Sequence, residues 1–132
     1  MFAWGKSDIG KARKDNQDSY IYSVSDAKKL AFAVVCDGMG GAAAGNIASK
    51  LALERFTEHI REINCKNFSH EQIFKLLETA LEDANTAVHD KAKSEESLFG
   101  MGTTLVAAVA TQTKVAVMYL WSAVLMQLHK DV

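Results

Sequence analysis

Two aspartates, Asp18 and Asp37, carry the most legible chemistry in this chain. Residues Asp18 to Val24 alternate as a strand, with Tyr20, Tyr22 and Val24 on one face and Ser19, Ile21 and Ser23 on the other. The polar run Ser25-Asp26-Ala27-Lys28-Lys29 reads as a turn, after which Leu30 to Cys36 is continuously apolar. A hairpin centred near Ala27 sets Asp18 opposite Asp37 at its open end, on one side of the sheet. Directly opposed strand residues have Cβ atoms about 5 Å apart, where like charges repel. A divalent cation is the simplest compensation, and carboxylate oxygens suit the hard ions Mg²⁺ and Mn²⁺. The plainer alternative is two unrelated strand-end aspartates, one capping a turn and one solvated.

The neighbouring residues narrow the choice. Gly38-Met39-Gly40-Gly41-Ala42-Ala43 follows a strand, opens a helix and matches the dinucleotide pattern G-x-G-x-x-A. Against that reading, Asp37 would lie beside the pyrophosphate, and Arg61 to Asn67 is polar where a second strand is required. No Lys-Ser or Lys-Thr pair closes the loop, so it is not a Walker P-loop; glycines that let the chain turn sharply and a helix pack closely remain a structural explanation. Arg13 lies close enough in sequence to reach the same sheet end and hold a phosphate with both arms of its guanidinium. The histidines His59, His70, His89 and His129 show no metal-ligand spacing. Neither Cys36 nor Cys65 is followed by an arginine at the spacing of a thiolate phosphatase loop, and Cys36 reads as a buried core residue.

The elements that must position these groups follow from periodicity. Leu30 to Cys36, apolar throughout, is expected to be a central strand buried on both faces. Ala43 to Ile63 has helical spacing at Ile47, Leu51, Phe56, Ile60 and Ile63. Ser69 and Gln72 have capping-box spacing and open a second helix, whose stripe is Ile73, Leu76, Leu77, Ala80, Leu81, Ala84 and Val88 and which ends near Lys93. Thr103 to Ala110 reads as a strand, Thr111-Gln112-Thr113 as a turn, and a last strand begins at Lys114. The order β-β-α-α-β-β predicts an α+β fold in which antiparallel sheet packs against a helix pair.

The 132 residues suit a single domain, residues 1–132. With 15 Lys and Arg against 16 Asp and Glu, the formal charge is -1, and no basic excess favours nucleic acid. Met1 to Lys6 is not followed by the apolar core of a signal peptide, and Val115 to Leu128 is too short to span a bilayer. Two cysteines make no disulfide framework. These features predict a soluble cytoplasmic protein without nucleic-acid or membrane partners.

Five motifs then come together. Ser7-Asp8-Ile9-Gly10, Arg13 with Asn16-Gln17-Asp18-Ser19, Val35-Cys36-Asp37-Gly38-Met39-Gly40-Gly41, Ala44-Gly45 with Ala48-Ser49, and Gly100-Met101-Gly102-Thr103-Thr104-Leu105 occur in that order. Over about residues 7 to 117 the chain resembles the bacterial branch of the metal-dependent (PPM, type 2C) protein phosphatases. The resemblance implies an α/β sandwich of two antiparallel sheets covered by helix pairs, with a two-metal site at one edge. It implies that Asp37 bridges two Mn²⁺ or Mg²⁺ ions, that the Gly38 carbonyl and Asp18 serve one of them, and that Arg13 holds the substrate phosphate. In the family's mechanism, water or hydroxide held between the metals attacks phosphorus in line and releases serine or threonine.

The chain also departs from the family pattern. Where the family continues with valine-glycine-aspartate-serine-arginine, this sequence has Tyr119-Leu120-Trp121-Ser122-Ala123, and the later Asp-Gly and Asp-Asn segments that supply further metal carboxylates have no counterpart. Two carboxylates leave a two-cation site under-ligated, so weak metal binding is expected. Either the chain is a phosphoserine/phosphothreonine phosphatase of reduced autonomy or it is a catalytically silent module that binds a phosphoprotein. An apolar C-terminal strand without a cover predicts a homodimer or a complementing chain, unless residues 115–128 fold back as a helix.

Overall fold

The computed structural model describes residues 1–27, 29–41, 43–61, 63 and 68–120. The hairpin forms where the turn chemistry places it. Strand β1 (Asp18–Ser25) pairs antiparallel with β2 (Leu30–Met39), in register from Ser25 opposite Leu30 to Asp18 opposite Asp37. At the turn Lys29 adopts a left-handed φ of 53°, and its amide donates to the Asp26 carbonyl at 3.2 Å. Helix α1 (Ala44–Arg61) follows the glycine loop, and α2 (His70–Ser94) packs against it. The α2 N-terminus carries the predicted capping box: the Ser69 hydroxyl accepts from the Gln72 amide at 3.2 Å, and Gln72 Oε1 accepts from the Ser69 amide at 2.7 Å.

A short 3₁₀ turn at Glu96–Leu98 leads to β3 (Gly102–Thr103), β4 (Leu105–Thr111) and β5 (Val115–Leu120). The sheet order is β1-β2-β4-β5, with β3 paired to the far end of β2, and all pairings are antiparallel. This is the predicted α+β arrangement, a helix pair over an antiparallel sheet. A dinucleotide-binding unit, which requires a parallel β-α-β crossover, is incompatible with these pairings. The single strand expected over Thr103 to Ala110 is interrupted at Thr104, where the backbone turns from β3 to β4. Of residues 115–128, the first six form β5, and the remainder of that stretch, with Trp121, Ser122, Ala123 and His129, lies outside the described residues, as does Cys65.

Two expectations about packing are corrected. The strand β2 is central but is buried on one face only: Val34 and Cys36 are fully buried while Val35, between them, is 51% exposed. A single layer of helices covers the inner face, and Tyr20, Tyr22, Val35, Val106, Val115 and Val117 remain exposed on the strands. The predicted stripe over α1 holds at Phe56, Ile60 and Ile63, which are buried, but not at Ile47. Ala44, Ala48, Ala52, Phe56 and Ile60 are buried, whereas Ile47 is exposed and Leu51 only half-buried. Small side chains suit the start of this face because the first turn of α1 lies directly against the end of β2. In α2, Ile73, Leu77, Ala80, Leu81, Ala84 and Val88 meet the core as predicted. No described helix is long and apolar enough to cross a membrane.

One-sided burial gives a direct test. Leu105→Ala, at a fully buried position, lowers unfolding stability by about 2–5 kcal/mol, whereas Val106→Thr on the outer face changes it by under about 1 kcal/mol. Urea denaturation of the two variants checks the contrast.

Candidate functional site

Three hydrogen bonds from Thr103 and Thr104, on the edge of β2 away from β1, hold the backbone of Asp37. Its carbonyl accepts from the Thr104 amide at 2.9 Å and from the Thr103 hydroxyl at 3.0 Å, and its amide donates to the Thr104 hydroxyl at 3.2 Å. The Gly-Met-Gly-Thr-Thr run therefore works as a clamp on the aspartate opposite it. Asp18 is held through its own neighbours. Its amide donates to Asn16 Oδ1 at 3.0 Å, Asn16 Nδ2 donates to the Ser7 hydroxyl at 2.6 Å, and the adjacent Ser19 hydroxyl meets Ser49 of α1 at 3.0 Å in a buried contact.

The glycine loop contributes closeness. A Cβ on Gly38 would lie 2.0 Å from the Gly45 carbonyl oxygen, and one on Gly45 would lie 2.2 Å from Gln17 Oε1. Only glycine at both positions lets the first turn of α1 rest directly on the end of β2. Gly40 and Gly41, with φ of 125° and 86°, turn the chain between them.

The four predicted site residues come together. Arg13, Asp37 and Gly38 line one open cavity of about 530 Å³ with Lys14, Asp15 and Gln17, and Asp18 stands opposite Asp37 in the strand register. Partial desolvation, then a side-chain hydrogen bond with Asp37 and the Asp37 charge, holds the Asp18 carboxyl above its ordinary range; Arg13 pulls it the other way. The predicted roles of the remaining polar residues are also clear. Cys36 is buried with its thiol pushed up to about 12 by desolvation, so it is no nucleophile. His59 contacts Asp83 at 3.1 Å, and His70 stacks edge-on against Phe74 at a 4.8 Å centroid distance.

The donor set fits a divalent cation in part. Two opposed carboxylates whose repulsion is only partly relieved, next to a buried glycine at the cavity wall, offer hard oxygen ligands to a cation. Among the described residues no group of three or more His, Cys, Asp or Glu could hold a metal ion. The pair thus supplies a fraction of the roughly six oxygens that Mg²⁺ or Mn²⁺ takes.

Sequence spacing located the aspartates and Arg13 but not the residues that fix them. Gln17, Ser19, Ser49, Thr103 and Thr104 lie inside the motifs, yet their work is done through backbone groups and buried contacts that a residue type does not announce.

With this geometry in place, comparison with known proteins is unambiguous. A family model described as protein phosphatase 2C matches residues 5–124, and the chain belongs to that family. The serine/threonine phosphatase stp of Listeria innocua is 33% identical over 118 residues, covering 89% of this chain and 46% of that protein. The serine/threonine protein phosphatase PstP of Mycobacterium tuberculosis is 32% identical over 115 residues, covering 87% of this chain and 20% of that protein. Among solved structures, Stp1 from Staphylococcus aureus superposes with a TM-score of 0.73 at 28% identity, covering 85% of this chain and 43% of that one. The catalytic domain of PstP in complex with 2 manganese ions gives a TM-score of 0.66 at 28% identity, covering 87% of this chain and 45% of that one. The chain spans less than half the length of each of these relatives.

The raised Asp18 carboxyl has a signed consequence. Protonation is favoured in the fold, so this contribution to stability is full in acid and is lost as the pH rises through the Asp18 titration. Without divalent metal, Asp18→Asn is therefore more stable than the parent at pH 7, by up to about 1 kcal/mol after solvent screening. The difference closes as the pH falls below about 4. Melting temperatures measured across this range in chelator check it.

Proposed function

We propose that this chain carries the phosphate- and metal-binding part of a type 2C protein phosphatase acting on phosphoserine and phosphothreonine. The observation that carries the reading is that Asp18 faces Asp37 at one sheet end while Asp37, Gly38 and Arg13 line one open cavity beside them. Asp37, Asp18 and the Gly38 carbonyl would hold Mn²⁺ or Mg²⁺. When bound, the cation supplies an acidified water for attack on phosphorus and neutralises phosphate charge. Arg13 binds two phosphate oxygens through its planar guanidinium and turns the phosphorus toward the aspartates. The PstP catalytic domain in complex with 2 manganese ions supports metal dependence in the family to which this chain belongs.

Two carboxylates are few for such a site, and we propose that a complementing polypeptide or a second copy supplies the rest. The exposed apolar residues of β2, β4 and β5 support this. Asp37 borders a depression with Thr104, Val106, Tyr119 and Leu120, so whatever covers the outer sheet face comes within reach of the aspartate. The same face supports a second reading, a catalytically silent module that binds a phosphoprotein partner.

The deciding experiment is Mn²⁺-dependent hydrolysis of para-nitrophenyl phosphate by the purified chain, with Asp37→Asn as control. Turnover that saturates with Mn²⁺ and disappears in the variant is the expected result, with Arg13→Ala raising KM about tenfold or more. No turnover above Asp37→Asn at millimolar Mn²⁺ overturns autonomous activity and leaves the binding module. Sedimentation across a concentration series, with Val106→Lys as the comparison, reports whether the outer face recruits a second copy.

A further inference from the structure

We propose that Gln17 is a positioning residue that holds Asp37 opposite Asp18, so that the two carboxyls face each other before any cation arrives. Gln17 is bonded to both halves of the site. It directly precedes Asp18, the first residue of β1, and its own carbonyl accepts from the amide of Gly38, the residue after Asp37, at 3.2 Å. Its side-chain Nε2 donates to the Gly41 carbonyl at 2.9 Å, which ties down the loop leaving β2. Its Oε1 lies where a Gly45 side chain would be, against the first turn of α1. The half-buried side chain thus joins β1, the end of β2, the glycine loop and α1 at a single point.

The charge pattern explains why such a residue is needed. Strand ends fray most easily, and the last pair of this hairpin consists of two like charges. Relaxation of the repulsion by splaying the strands would widen the site. The Gln17 amide opposes that motion from the inner side, through the loop and α1, while Thr103 and Thr104 hold Asp37 from the other side. Neither of its contacts touches a carboxylate, so Gln17 acts on metal affinity only through placement.

This inference builds on the cation-site reading, and its test separates the two. The variants are Gln17→Leu, which keeps volume and removes both polar atoms, and Gln17→Asn, which keeps the amide but is too short to span to Gly41. In chelator, Asp18→Asn raises the melting temperature of the parent by relieving repulsion; in either Gln17 background that rise falls below half. An equal rise in both backgrounds, or no rise in the parent, overturns the positioning role without reference to metal. A Gln17→Leu chain that fails to fold passes the question to Gln17→Asn. The second arm is Mn²⁺ titration read by melting temperature, where the Gln17 variants bind tenfold or more weakly than the parent. Equal affinity overturns the effect on metal. A parent that shows no Mn²⁺ response overturns the cation site, while the metal-free coupling still decides the role of Gln17.

Discussion

Opposition of two carboxylates at the open end of one hairpin is the constraint on which the structure turns. A sheet that places Asp18 across from Asp37 works against its own electrostatics. The fold answers with covalent closeness and backbone bonding in place of neutralisation. The four-residue turn fixes the register at the far end, and each pair toward the site follows from it. At the near end Thr103 and Thr104 grip Asp37, Asn16 grips Asp18, and Ser19 is pinned to Ser49 of α1. A site built in this way keeps its two carboxyls facing each other against their mutual repulsion.

The second requirement is proximity between helix and sheet. Gly38 and Gly45 touch with no room for a side chain, and Ala44, Ala48 and Ala52 continue the same close approach along α1. The glycine motif that superficially suggests nucleotide binding is thus a packing device. Its conformational freedom serves the junction between β2 and α1, and its pattern match to a dinucleotide fingerprint is coincidental.

Much of this was readable from sequence because local chemistry and global fold agree. The turn at Ser25 to Lys29 is flanked by unlike strands of suitable length, so register, and with it the facing of Asp18 and Asp37, followed from counting. The capping box at Ser69 and Gln72 fixed the start of α2. One-sided burial of β2 was not legible, since Val34 and Val35 are the same residue type on opposite faces, and only the number of helical layers distinguishes them. In α1 size is no guide at Ile47, which stays exposed while the close approach to the sheet favours Ala44, Ala48 and Ala52. Gln17, Thr103 and Thr104 escaped because their side chains bond backbone carbonyls and amides far away in sequence, partners that the residue type does not reveal.

The direction in which the hairpin closes gives the register a kinetic meaning. The four-residue turn makes the Ser25–Leu30 pair the least costly in the hairpin to close, so pairing is expected to propagate from there and reach Asp18 and Asp37 last. Repulsion between the aspartates then falls on a late step, after the core strands have joined, and leaves nucleation untouched. The chemical edge of the sheet is the part of the hairpin that opens first and closes last, and its acidic pair governs how long the end stays shut rather than how fast the domain folds.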